Sequence, residues 1–404
     1  MTPIYLDHNA TTPLDPEVLE AMRPHWLLGG NPESRHSAGR GARRALERAR
    51  ESIAKILGAS ADEVIFTSGG TEANNLAVFG LASVEAEGDE TGPPHLVSSP
   101  VEHPAVAEAV ARLEREGFEA TRPGVDAEGR ADPRAMAAAI RPGTRLATLM
   151  LANNEVGTLQ PVAELAGLAA EAGVPVHTDA VQAVGRVAVD FRSLGVATLA
   201  ASAHKFHGPG GVGLLLVRKG LKLAPRAFGG GQQKGVRPGT PAVALAVGMA
   251  RALELWQAEA EGRVVRWVRL RDRLEAGLVA RFGAGRVVRN GPEDPAHRLP
   301  QTLNVGFAGL DGDALLMQLD LAGVAVSLGS ACASGASEPS STLLAMGVPG
   351  DRLRSSVRFS LGASTTEAEV DATIERVASV VEAITRAGVG TEDFEAIGPP
   401  LSGR

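Results

Sequence analysis

Short apolar runs at 64–66, 95–99, 146–151, 174–177, 196–201 and 212–217 alternate with longer segments of helical period. Such runs, too short for helices and flanked by Gly, Pro, Asn or Asp, predict strands. Asp15-Pro16-Glu17 marks a helix start, with a capping carboxylate, proline at the first helical position and an acid in the first turn. Ala42, Ala45, Ala49, Ile53 and Ile56 fall on one face of a long amphipathic helix that stops at Gly58. Further helices are expected after the turn at 67–71, from Pro104, and over 161–172. Strands alternating with helices imply βαβ units and a mostly parallel sheet. The stretch from Pro241 to about Phe282 is helical and charged and reads as a connector. A second α/β unit follows, with strands at 303–307, 324–327 and 357–361 and a helix over 311–321. A last helix begins near Thr366, where Glu369 completes a capping box.

With 404 residues the chain can bury a large core, divided here into a large unit over 15–255 and a small one from 1–14 and 256–386. Residues 387–404, rich in Gly and Pro, form an expected flexible tail. A net charge of −7 argues against nucleic acid as a direct partner, and no apolar run is long enough to span a membrane. The N-terminus lacks the basic and apolar regions of a signal peptide, and the single Cys332 excludes an intrachain disulfide. Together these predict a cytoplasmic enzyme without a metal site.

In parallel sheets, ligands collect at the carboxyl ends of the strands. Thr71, His103, Asn154, Asp179, Gln182 and His204 all fall at or just past such ends. Lys205 lies between two predicted strands, flanked by Ser202, His204 and His207 and followed by Gly208-Pro209-Gly210-Gly211. By itself it reads as a turn lysine. Beside the other residues it suits pyridoxal 5′-phosphate chemistry, which needs a lysine for the aldimine, a helix N-terminus for the phosphate and a carboxylate at the pyridine nitrogen. Lys205 can be the first, Gly70 and Thr71 with Ser202 and His204 the second, and Asp179 the third. Gln182 is within reach of the ring oxygen, and His103 can cover one ring face and move protons. Arg358 can hold a substrate carboxylate by a two-pronged contact, assisted by Asn154. Taken singly, Asp179 is equally a helix cap, His103 a capped loop histidine and Arg358 an ion-pair residue. Only jointly do they fit one cofactor. Cys332 sits in a Gly-, Ser- and Ala-rich loop that suits an accessible nucleophilic thiol.

Five motifs, Tyr5-Leu6-Asp7-His8-Asn9-Ala10-Thr11-Thr12, Thr67-Ser68-Gly69-Gly70-Thr71-Glu72-Ala73-Asn74-Asn75, Asn153-Asn154-Glu155-Val156-Gly157, Ser202-Ala203-His204-Lys205 and Arg237-Pro238-Gly239-Thr240, resemble cysteine desulfurases of the class V aminotransferase family. Gly329-Ser330-Ala331-Cys332-Ala333-Ser334-Gly335, followed by Glu338-Pro339-Ser340, resembles the catalytic loop of the group I branch. The resemblance runs from about residue 3 to 386. It implies the α/β fold type I of pyridoxal-phosphate transferases, with a large domain built on a mostly parallel seven-stranded sheet and a smaller C-terminal α/β domain. It also implies a homodimer in which Thr240 reaches the partner's cofactor. L-cysteine is the implied substrate, and Cys332 takes its sulfur as a persulfide, leaving L-alanine. The sulfur then passes to an acceptor protein of iron–sulfur cluster assembly or of tRNA or cofactor thiolation. Gly210 stands where a lysine is common in the family, and Ala203 where a serine is frequent. Two other readings stay open at this point: a selenocysteine lyase or other class V lyase or aminotransferase, and a catalytically inactive sulfur-assembly scaffold.

Overall fold

A computed structural model describes residues 2–84, 92–329 and 339–387. Thirteen strands occur among them. They are β1 (Ile4–Tyr5), β2 (Val64–Thr67), β3 (His95–Ser98), β4 (Glu119–Thr121), β5 (Thr144–Thr148), β6 (Val176–Asp179), β7 (Thr198–Ser202), β8 (Gly213–Val217), β9 (Val287–Asn290), β10 (Thr302–Phe307), β11 (Val324–Ala325), β12 (Ser327–Leu328) and β13 (Ser356–Ser360).

Seven strands form the main sheet, in the order β2-β8-β7-β6-β5-β3-β4. The pairs β7–β6, β6–β5, β5–β3 and β3–β4 are parallel, and β8 alone runs against its neighbours β2 and β7. The link from Ser202 to Gly213 is too short for a crossover helix, so β8 can only return antiparallel. This is the mostly parallel α/β sheet expected from the alternation of strands and helices. The carboxyl ends of β2, β3, β5, β6 and β7 therefore share one edge.

Two strand boundaries differ from the expected ones. The run at 174–177 pairs only from Val176, because Pro175 has no N–H for the ladder and contributes just its carbonyl, which accepts from Ala147 N at 3.0 Å. The strand thus extends to Asp179, which ends it at the sheet edge. The run at 324–327 divides at Val326: β11 pairs in parallel with β1, whereas β12 joins β13 with Ser327 opposite Arg358.

Apolar side chains gather in two main cores. One holds Leu46, Ile53, Val97, Leu149, Leu199, Leu214, Met249 and Leu253 around the main sheet. The other holds Leu6, Trp267, Leu274, Leu303, Phe359 and Val377 around the antiparallel sheet β12-β13-β10-β9. The expected connector is one helix, Val243–Phe282, whose first turns enter the first core and whose later turns enter the second. Burying each Leu or Phe contributes roughly 1.5–3 kcal/mol, so both ends of this helix are anchored. No described helix is long and apolar enough to cross a membrane.

The N-terminal segment ties the two cores together. β1 pairs with β11, and His8 N donates to Ser360 O on β13. On the other side Thr12 N donates to His204 O.

Candidate active site

The five carboxyl ends converge on a cavity of about 250 Å³. Gly70, Thr71, His103, Asn154, Asp179, Gln182, Ser202, His204 and Lys205 line it, joined by Ala10, Asn74, Met150 and Val181. Every candidate on the main sheet is thereby brought together. A larger cleft of about 940 Å³, walled by Leu151, Val184, Trp256 and Val264, contains none of them. The smaller cavity is the candidate site.

After β2 the chain turns straight into the helix Gly70–Ala82, whose N-terminus has no side-chain cap. Its first helical hydrogen bond is Ala73 N to Gly69 O, at 3.1 Å, so the N–H groups before Ala73 face the cavity end with the positive end of the helix dipole. Close packing requires glycine here. A Cβ at Gly70 would lie 2.8 Å from Val181 Cγ2, and one at Gly213 2.6 Å from the Gly69 carbonyl carbon. Uncapped donors beside the Thr71 and Ser202 hydroxyls make a phosphate cradle.

Asp179 is buried and oriented from behind. Its Oδ1 accepts from Val181 N at 2.9 Å, and its Oδ2 from Asn74 Nδ2 at 2.6 Å. Asn74 Oδ1 in turn pairs with His177 Nε2 at 3.0 Å, and His177 Nδ1 with Thr198 Oγ1 at 2.9 Å. Complete burial pushes His177 down to about 3, so the ring is neutral. Because Asn74 presents an oxygen, Nε2 carries the proton and Nδ1 accepts from Thr198. A neutral chain thus fixes the Asp179 carboxyl with both oxygens accepting hydrogen bonds, which suits a ring nitrogen that donates as its partner.

His103 caps the helix Pro104–Arg115, with Nδ1 accepting from Ala105 N at 3.1 Å. Its pKa is lowered, first by burial and further by Lys205, against the pull of Asp179. The cap leaves the Nε2 side for the cavity. His204 is pushed down to about 4 by burial, then by Lys205 and Arg186, and its Nδ1 meets Thr11 Oγ1 at 3.1 Å.

Lys205 stands on the turn Ala203–Lys205 just after β7. Its Nζ donates to Asn9 O at 2.7 Å and to Ala10 O at 2.8 Å. Gln182 Nε2 shares the Asn9 carbonyl at 2.9 Å, while its buried Oε1 finds no partner among the described residues. An orphaned polar atom beside a lysine, a carboxylate and a phosphate cradle is what a polar ring ligand would satisfy. The donor set fits pyridoxal phosphate.

Two candidates lie outside the cavity wall. Arg358, on β13, is buried behind Asn154. It donates through NH1 to Asn154 O at 3.1 Å and pairs through NH2 with Asp7 Oδ1 at 2.7 Å, and its Nε finds no partner among the described residues. Thr240 is exposed, in a segment tied to the helix Gly70–Ala82 by Arg237 Nε on Glu72 at 2.8 Å. Cys332 lies outside the described residues. The described part of the chain leading to it reaches Gly329, directly after β12, where Ser327 pairs with Arg358.

Several contributors escaped the sequence reading. Asn74, the carbonyls of Asn9 and Ala10, and the His177 chain act through contacts more than a hundred residues apart. Asn74, one turn after Gly70, was legible only as part of a motif. Glu102 is another. Its Oε1 accepts from Thr148 Oγ1 at 3.0 Å, and its buried Oε2 has no partner among the described residues. Burial, aided by the charge of Asp179, pushes this carboxyl up to about 8. Folding must therefore return a proton to Glu102 at every pH between its ordinary 4.5 and about 8. Stability falls over that window by about 1.4 kcal/mol per pH unit. Glu102→Gln removes this loss. Its Tm should gain on the wild type steadily from pH 5 to pH 8, and a difference independent of pH would show that the carboxyl is not held neutral.

Comparison with known proteins agrees with this geometry. The family model for aminotransferase class V matches residues 4–373. The cysteine desulfurase IscS of Dictyoglomus turgidum (strain DSM 6724 / Z-1310) is 45% identical over 381 residues, covering 94% of this chain and 94% of its own. A solved structure described as a NifS-like protein superposes with a TM-score of 0.86 at 35% identity, over 94% of this chain and 100% of the other. SspA in complex with cysteine gives 0.74 at 33% identity, over 90% and 99% of the two chains. Enzymes of this kind depend on pyridoxal phosphate. The chain belongs to the class V aminotransferase family, in its cysteine desulfurase branch.

Proposed function

We propose that this protein removes the sulfur of L-cysteine and carries it as a persulfide on Cys332. The observation that supports this best is the single cavity uniting Lys205, Asp179, His103 and the phosphate cradle, with the chain toward Cys332 leaving beside Arg358. The SspA neighbour is described with cysteine, which supports the same substrate here.

Pyridoxal phosphate, when bound, supplies an electron sink for the bonds around the amino acid's Cα. The remaining work falls to the protein. The N-terminus of Gly70–Ala82, with Thr71, Ser202 and His204, would bind the phosphate. Asp179 would hold the ring nitrogen, and Gln182 would serve the ring oxygen. Lys205 would hold the cofactor and is placed to move protons at Nζ. His103 would offer Nε2 for proton transfer. Arg358 and Asn154 orient the substrate carboxylate, for which the guanidinium must share or exchange its contact with Asp7. The Cys332 thiolate attacks the substrate sulfur. The C–S bond breaks, an S–S bond forms and a proton replaces sulfur on Cβ. Cysteine plus thiol thus becomes alanine plus persulfide with no outside oxidant.

The two cores support a large domain over 15–255 and a small one from 1–14 and 256–386, joined by the helix Val243–Phe282. A homodimer would bring Thr240 to the partner's phosphate. Exposed Trp26, Leu27, Leu28 and Phe228 provide apolar surface for such an interface. The persulfide is handed to an acceptor protein of iron–sulfur assembly or thiolation in the cytoplasm.

A single turnover without reductant tests the central claim. Cofactor-loaded protein mixed with L-cysteine should yield one alanine per persulfide, with the 32 Da gain (roughly one sulfur atom) on the peptide containing Cys332. Alanine formed with no sulfur on that peptide would overturn it.

A further inference from the structure

Arg186 is a buried cation with no carboxylate bonded to it among the described residues. It lies on the turn after β6, only 2% exposed. Its Nε and NH2 donate to Lys205 O at 3.2 and 2.8 Å, NH2 also donates to His8 O at 2.7 Å, and NH1 reaches Asn9 Oδ1 at 3.3 Å. All of these acceptors are neutral. Burial, reinforced by the charge of Arg358, lowers the guanidinium to about 9. Enclosing a cation without a counter-ion opposes folding by several kcal/mol, so packing alone is a poor reason for this arrangement. Its surroundings show its effect. His8, His204 and His207 are lowered to about 3, 4 and 4, by burial first, and Arg186 adds to each.

We propose that Arg186 is a positioning residue that holds a positive charge beneath Lys205, so that the lysine amine meets the cofactor as the free base. The guanidinium also locks His8 and Asn9, whose backbone includes the carbonyl on which Nζ rests. The inference rests on Lys205 being the lysine that captures pyridoxal phosphate. Among the described residues, the amine is faced by the Asn9 and Ala10 carbonyls from the N-terminal segment, His204 from its own turn, His103 from the cap of Pro104–Arg115, and Asp179 from β6. Asp179 favours a protonated amine, and Arg186 opposes it. Around Arg186 itself lie His8, His207, His204 and Arg358.

The test follows uptake of pyridoxal phosphate by the apoprotein, from the visible absorbance, across pH. Titrations belonging to the cofactor cancel when variants are compared with the wild type. Arg186→Gln should move the pH midpoint of the uptake rate upward by about one unit, whereas Arg186→Lys, which keeps the charge, should move it by less than about 0.3. A purely architectural role would give both variants slow uptake with an unmoved midpoint. An unshifted Arg186→Gln, or an Arg186→Lys shifted as far as Gln, overturns the proposal, and the lysine variant decides alone if the glutamine variant does not fold. Borohydride reduction of the wild type followed by peptide mass analysis separates the two levels. Label away from Lys205 defeats the functional reading, and label on Lys205 with an unshifted midpoint defeats only the role of Arg186.

Discussion

Lys205→Ala should lose the visible absorbance of bound cofactor and lower alanine formation from L-cysteine by about 10⁴-fold or more. Among the described residues, Lys205 is the only primary amine on the cavity wall. Around it stand a carboxylate fixed by Asn74, a helix N-terminus and a neutral imidazole, and none of these can make the covalent bond to the cofactor. The fold should tolerate the change. Nζ rests on two backbone carbonyls at 2.7 and 2.8 Å, and Asn9 keeps its bonds to Gln182 and Ser360. A surface-edge contact of this kind contributes about 1–3 kcal/mol. Methylamine, small enough for the vacated space, should restore a measurable fraction of turnover. A variant with more than a tenth of wild-type activity would show that another group carries the cofactor.

Cys332→Ala should separate two functions that the wild type performs together. Cofactor and cysteine should bind as before, seen as an unchanged resting absorbance and a rapid spectral change when cysteine is added. Alanine and transferable sulfur should both fall by about 10³-fold or more, because no other thiol exists in the chain to accept the sulfur. An uncatalysed loss of sulfide to solvent or to added thiol sets the floor. Undiminished turnover would exclude the persulfide route and favour a lyase that releases its product directly.

Much of the site was legible along the chain because each part sits at a strand end with a local signature. Gly69-Gly70-Thr71 before a helix, Asp179 after an apolar run and Lys205 between two runs are arrangements set by neighbours in sequence. A parallel sheet then brings such ends together whatever the loops do. The boundaries that were misplaced, at Pro175 and Val326, are those where pairing with a distant strand sets the end of the element.

From the sequence alone came the sheet class, the residues at its carboxyl edge, and the pairing of a lysine site with a single distant cysteine. Hydrophobic period and turn chemistry are local, and they repeat at every βα unit. Tertiary structure decided what surrounds those residues. It set the His177–Asn74 chain behind Asp179, the Asn9 and Ala10 carbonyls under Nζ, the neutral Glu102, and Arg358 held by Asp7 behind Asn154. It also buried Arg186 against the Lys205 carbonyl. Burial and long-range contact fix the charge a group carries, and neither can be read from a residue's neighbours in sequence.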